Sequence, residues 1–169
     1  MHSSGGTGPQ PGPPERRAAR VVLVDATPAV LMLAGRDPSD VGALPFWFVP
    51  GGGAHPDEST EDAARRELYE ETGTVLGDLG PVVWTRRADF VFDGRSYHQQ
   101  EAFYVIRTEN FPVRATALTE EESRFITSWR WWPLPELAAT TEVVYPADLA
   151  RLVARWLGGG PPAGPVPIR

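Results

Sequence analysis

A single α/β domain, a mixed sheet flanked by helices, is the fold class this sequence predicts, and three observations predict it. The patterned segments run β-rich, helix, β-rich, helix, so strands and helices interleave rather than segregate. The 169 residues suffice for one domain with a substantial core and are too few for two comfortable ones. Gly and Pro number 17 and 18, but eight of them fall in residues 1–14 and eight more in residues 158–169. The body between keeps about the average usage of ~12% and reads as globular. Tails over 1–17 and 158–169, disordered by composition, and a domain over 18–157 are therefore expected.

The elements follow in order. Ala19–Asp25 and Val30–Ala34 are short β-rich runs around Thr27-Pro28, which suggests a hairpin. Gly35 to Leu44 reads as a loop, and Phe46–Val49 as a short aromatic strand stopped by Pro50 and three glycines. Ser59 with Asp62 three residues on forms a capping-box pattern, and Glu61 and Asp62 suit the positive end of a helix that runs to Gly73. Val82–Phe92 and Tyr97–Arg107 read as long strands joined at Asp93-Gly94. Thr108 to Ser123 is polar and acidic and reads as a loop. Phe125–Trp132 is a strand and Pro133–Ala138 a short helix. In Pro146–Leu157, the residues Leu149, Leu152, Val153, Trp156 and Leu157 recur at helical spacing and predict core packing.

Composition excludes several functions. The net charge is -6, from 16 basic residues, all Arg, against 22 acidic ones, which argues against a general nucleic-acid binder. With no Cys there is no disulfide, thiolate metal site or Cys nucleophile, in keeping with a reducing, cytoplasmic location. No apolar run approaches the roughly 18 residues of a membrane span, and residues 1–14 lack the apolar centre of a secretory signal.

The chemistry concentrates between Pro50 and Thr74. Glu67, Glu70 and Glu71 stand at i, i+3 and i+4, so one helix face carries three carboxylates. Alone, that pattern is most simply a solvated acidic face. Beside it, however, Gly51-Gly52-Gly53 makes a turn that lets backbone approach a metal or phosphate closely. Hard carboxylate oxygens are what Mg²⁺ or Mn²⁺ binds.

The full pattern is Gly52-x5-Glu58-x7-Arg66-Glu67-Leu68-x-Glu70-Glu71-x-Gly73. It resembles the Nudix box, the signature of the Nudix hydrolase family, at all seven fixed Gly, Glu and Arg positions; Thr74 departs from the aliphatic residue usual there. The Trp47-x-x-Pro50-Gly51-Gly52 lead-in and the stretch Trp131 to Leu137 extend the likeness over residues 18–157. The resemblance implies an α/β/α sandwich around a mixed β-sheet. It also implies divalent-metal-dependent hydrolysis of a nucleoside diphosphate linked to another group. On the same likeness Glu67, Glu70 and Glu71 hold the metals, Gly52 adds its carbonyl, and Arg66 and Glu58 buttress helix and loop.

Other assignments are expectations of the same kind. The general base is Glu70, or comes from outside the box as Glu101 or as one of Glu120, Glu121 and Glu122, with Glu121 central in that acidic run. Arg36 follows the second strand and could meet a phosphate, as could Arg86 and Arg87. Trp47, Phe48, Trp84, Tyr97 and Phe103 could stack on a base, although aromatics in β-rich segments are more often core. His55 and His98 read as polar loop or strand residues. None of the family's sub-signatures for NADH, coenzyme A, ADP-ribose or diadenosine polyphosphate is matched. The expected substrate is a small nucleotide: ADP-ribose, a nucleotide sugar or a nucleoside triphosphate. The competing function is a Nudix-fold sensor that grips a nucleotide without cutting it, which a degraded box would favour. Monomer and homodimer are both open.

Overall fold

The computed structural model describes residues 15–169. Of the expected N-terminal tail, residues 1–14 lie outside that range, while Glu15 to Arg17 are not tail but the start of the first strand. Eight strands and four helices follow in the order β1 (Glu15–Val24), β2 (Ala29–Gly35), β3 (Phe46–Phe48), α1 (Thr60–Thr72), β4 (Trp84–Phe92), β5 (Arg95–Arg107), α2 (Glu120–Phe125), β6 (Ile126–Pro133), α3 (Leu134–Ala139), β7 (Val143–Tyr145), α4 (Leu149–Gly159) and β8 (Val166–Pro167).

The strands form one mixed sheet in the order β7-β3-β2-β1-β5-β4-β8, with β6 on the free edge of β2. The expected β1–β2 hairpin is present only at its turn. The two strands pair antiparallel at Val24 and Val30 and then part, because β1 runs parallel to β5 from Glu15–His98 to Val24–Arg107. Asp25 fastens the turn by accepting from the Thr27 and Ala29 amides at 2.8 and 2.7 Å. Beyond it, β2 pairs with β3 on the same side that β1 has left. The edge of β1 so exposed is taken up by the Pro50–Ala54 segment. Val21 and Ala19 donate to Pro50 and Gly52 carbonyls at 2.8 and 2.9 Å, and Ala54 donates to Arg17 at 2.9 Å. That segment is thus laced into the sheet at the split.

The alternation of β1 fills two cores, one on each face. Ala19, Val21 and Leu23 pack with Ala63, Ala64 and Leu68 of α1. Val22 and Val24 pack with Leu149, Leu152 and Val153 of α4, with Trp156 and Leu157 partly buried beside them. The result is the α/β/α sandwich the sequence implied. Helix α1 begins as expected: the Ser59 hydroxyl accepts from the Asp62 amide at 3.0 Å, and the helix ends at Gly73, whose N–H donates to Tyr69 at 2.8 Å.

Three elements differ from expectation. Within the expected loop, α2 forms, held by a reciprocal capping box between Thr119 and Glu122. Strand β7 joins β3 in parallel. The expected C-terminal tail is corrected in part: Gly158 and Gly159 complete α4, Val166–Pro167 pair with β4, and Ile168 packs on the α4 core. The apolar Val166 and Ile168 give those residues an attachment that Gly and Pro content alone conceals. Among the described residues no helix is long and apolar enough to cross a membrane.

Candidate active site

The site forms where the Pro50–Ala54 segment, laced into the sheet, meets the carboxylate face of α1. Two glycines make the fit possible. Gly51 has φ of 137°, and a Cβ there would run into the Ala19 carbonyl. Gly52 lies directly over Glu67, so that a Cβ would strike its carboxylate. The Gly52 carbonyl already accepts from Ala19, which orients it in the loop.

Arg66 organises the carboxylates. Its Nε and Nη2 donate to the two oxygens of Glu58, both at 2.9 Å, and Nη2 also donates to the Gly53 carbonyl at 3.0 Å. Its Nη1 donates to Glu67 at 2.8 Å and to Glu70 at 3.3 Å. One guanidinium therefore ties the loop to α1 and separates Glu67 from Glu70. The bonds from Arg66 bring the Glu58 carboxyl down to about 2 from an ordinary value of 4.5. They also raise the guanidinium's own pKa. Burial pushes the Glu67 carboxyl up, against the pull of Arg66.

Carboxylate oxygens of Glu67, Glu70 and Glu122 lie within 4.8 Å of one another. Three hard oxygen donors this close together suit Mg²⁺ or Mn²⁺, so the residues fit the implied cofactor. The third member of this cluster, Glu122, differs from the expected set of Glu67, Glu70 and Glu71. Glu71 does not join this cluster. Its carboxylate is buried behind the loop and accepts from the Gly51 amide at 2.8 Å, and burial drives its pKa well up, reinforced by the charge of Glu67. Nor is Glu121 the member of the acidic run that arrives. It is exposed and lies 3.5 Å from Arg95, while Glu122, one helical step on, turns to the cluster. One oxygen of Glu122 also holds the cap of its own helix, accepting from the Thr119 amide and hydroxyl at 2.7 and 2.8 Å. A Thr-x-x-Glu capping-box spacing at Thr119–Glu122 was the signal for this residue in the sequence.

Glu101 is also near the site but is not free to act as a base. Its buried carboxylate accepts from Arg20 Nε at 2.9 Å, Arg86 Nε at 2.6 Å and Gln99 Nε2 at 2.8 Å. Burial opposes its charge, yet the two arginines outweigh burial and hold it below its ordinary value. Arg20 and Gln99 are partners of Glu101 that sequence reading missed, since nothing in the pattern of β1 or β5 marks them.

The other expected contacts divide. Arg36 follows β2, where its amide donates to the Phe125 carbonyl at 3.1 Å; its side chain is exposed. Trp84 and Phe103 are core. Trp47 packs edge-on to Trp132 at 5.2 Å and donates to Glu142 at 2.7 Å. Phe48 is buried against Phe46 and Phe125. Tyr97 stacks on Phe90 with ring centroids 5.2 Å apart, half-buried near the turn of the β4–β5 hairpin. His98 pairs with Asp89 at 2.6 Å on the surface, and the His55 amide donates to Glu58 at 2.9 Å.

Known proteins resemble this chain in sequence and in fold. Residues 14–153 match the family described as the NUDIX domain. An RNA pyrophosphohydrolase from Rhodopseudomonas palustris is 32% identical over 105 residues, which cover 54% of this chain and 60% of that protein. A mouse diphosphoinositol polyphosphate phosphohydrolase 3-alpha is 31% identical over 121 residues, covering 70% of this chain and 66% of the relative. The match thus spans less than two thirds of the length of these curated relatives. A MutT protein from Methanosarcina mazei shares the fold with a TM-score of 0.61 at 18% identity, covering 84% of this chain and 94% of its own. The box residues gathered around Arg66, the sandwich that carries them and the match over residues 14–153 place this chain in the Nudix family.

Proposed function

We propose that the protein is a divalent-metal-dependent pyrophosphohydrolase acting on a nucleoside diphosphate linked to another group. ADP-ribose is the first choice, a nucleotide sugar the second and a nucleoside triphosphate the third. The observation that carries this reading is the convergence of Glu67, Glu70 and Glu122 within 4.8 Å beside the glycine loop. Those three side chains would hold the ion, with the Gly52 carbonyl beside them. A bound Mg²⁺ would neutralise the bridging phosphates and lower the pKa of a water at the site.

The chain's own groups do the rest. Arg66 keeps Glu67 and Glu70 apart and in register, so their mutual repulsion is offset before substrate arrives. Glu70 is more open than Glu67, at 23% against 7% side-chain exposure, so a water reaches it more readily. We assign Glu70 as the group that takes the proton of the attacking water. Arg36, exposed at the end of β2, is assigned to a substrate phosphate. Tyr97 and Phe90 offer a flat apolar face to a base.

The arginines nearest the box are committed, Arg20 and Arg86 to Glu101 and Arg66 to Glu58 and Glu67. The net charge of -6 disfavours a long RNA.

A panel of ADP-ribose, a nucleotide sugar, a nucleoside triphosphate, a 5′-triphosphate RNA and an inositol pyrophosphate with Mg²⁺ tests this, reading phosphate after phosphatase coupling. Turnover of a small nucleotide is expected. Cleavage of the inositol compound or the RNA alone would overturn the substrate class. Tight binding without turnover would replace the hydrolase reading by the sensor.

A further inference from the structure

The box leaves unexplained a buried ionic group on the sheet side of the loop. Glu101, with its side chain wholly buried, sits between Arg20 and Arg86, themselves 18% and 14% exposed. Burying the Glu101 charge is costly unless it is paired and fully hydrogen-bonded, and breaking such a pair leaves an uncompensated charge. Two arginines against one carboxylate leave one positive charge over. Its direction is visible in the hydrogen bonds. Arg20 gives Nε to Glu101 and turns Nη1 to the Gly51 carbonyl at 2.8 Å.

The Gly51 residue is therefore gripped from both sides. Its carbonyl accepts from Arg20 of β1, and its N–H donates to Glu71 of α1 at 2.8 Å. Arg20 and Glu71, a half-buried cation and a buried carboxylate, hold one residue of backbone from either side. Gly51, at φ of 137°, has no side chain to limit its rotation, so its peptide groups fix its conformation. The next residue, Gly52, is the one that lies over the Glu67 carboxylate. A rotation at Gly51 would carry Gly52 into or away from Glu67.

We propose that Arg20, clamped by Glu101, is a positioning residue outside the box that sets the Gly51–Gly52 backbone against the metal-holding carboxylates. The role belongs to the fork of a guanidinium. One arm reaches the buried carboxylate and the other the carbonyl, and a Lys ammonium on its flexible stem cannot reproduce that planar two-way contact. Arg86 provides the internal comparison: it also donates to Glu101, but it has no bond to the loop.

The inference rests on the reading that the box holds a divalent ion, and its test separates the two. Mn²⁺ affinity is measured by calorimetry on the native protein, Arg20→Lys and Arg86→Lys, together with hydrogen exchange of the metal-free 50–54 backbone. Absence of Mn²⁺ binding by the native protein would fail the site reading itself. Given native binding, Arg20→Lys is expected to bind Mn²⁺ about tenfold more weakly and to exchange faster over 50–54. Its kcat should fall with KM within about twofold, because the substrate's own contacts stay in place. Arg86→Lys should keep native Mn²⁺ affinity and native exchange in the loop. Equal losses in the two variants would reduce the network to general stability and overturn the proposal, as would a folded Arg20→Lys with native affinity. Should Arg20→Lys fail to fold, Glu101→Gln, which frees Arg20 from its clamp, must show the same loss of Mn²⁺ affinity and the same loop exchange; native values there overturn the proposal.

Discussion

Replacing Glu58 by Gln removes the negative partner of Arg66 while keeping the side chain's shape. Glu58 receives two parallel bonds from Arg66 at 2.9 Å and one from the His55 amide at 2.9 Å. Together they lower its carboxyl from 4.5 to about 2. At about 1.4 kcal/mol per unit, that shift corresponds to an upper bound of about 3 kcal/mol. The two side chains are 14% and 25% exposed, so solvent screening reduces the expected loss to about 1–2 kcal/mol. The sign follows from linkage. An acid with a depressed folded pKa contributes its stability above the unfolded value of 4.5 and loses it as pH falls toward about 2. Urea unfolding of the native protein and Glu58→Gln, at a series of pH values from about 7 down to about 2.5, measures this. The gap between them should hold near its full size at neutral pH, narrow below about 4.5 and nearly close at the acid end. Glu71, whose carboxyl is raised by burial, titrates in both proteins and drops out of the difference to first order. A gap that stays constant down to the acid end would assign the effect to packing and refute the ionic account.

Two further predictions address the site. Glu122→Gln should lower kcat by about 10²-fold, whereas Glu121→Gln, which loses only an exposed partner in Arg95, should stay within about twofold; parallel turnover assays of the two variants decide it. Gly52→Ala should weaken Mn²⁺ binding by about tenfold in calorimetry, because the added Cβ displaces the Glu67 carboxylate. A third concerns the loop: Gly51→Ala should cost about 1–3 kcal/mol in urea unfolding, because an L side chain is strained at φ 137° and meets the Ala19 carbonyl.

Much of this architecture was legible because local chemistry and periodicity agree. Ser59, Asp62 and Gly73 bracket α1, and the apolar spacing from Leu149 marks α4. The partners of β1 were not legible. A period of two says which residues share a face, not whether the neighbouring strand is the next one or β5, some 80 residues on. Helix α2 was hidden because it buries no residue and so shows no apolar period, although its Thr119–Glu122 cap stands in the sequence. The carboxylates show a finer limit. Residues 67, 70 and 71 share a broad helix face, but neighbours at 70 and 71 diverge by about 100° around the axis. That divergence sends Glu70 to the cluster and Glu71 behind the Gly51 amide. The same step separates Glu121 from Glu122. Arg20 and Glu101 carry no motif at all, since their meeting depends on a β1–β5 pairing visible only in three dimensions.

The most direct test of the central claim is turnover of the best small nucleotide from the panel, with Mg²⁺ and with excess chelator, by the native protein and by Glu70→Gln. Glu70 is 23% exposed and held only by Arg66 at 3.3 Å, so its replacement should leave the fold intact. The account predicts metal-dependent cleavage by the native protein, none in chelator, and a loss of about 10²-fold or more in Glu70→Gln at an unchanged melting temperature. Cleavage at the native rate by a folded Glu70→Gln, or by the native protein in chelator, would contradict it.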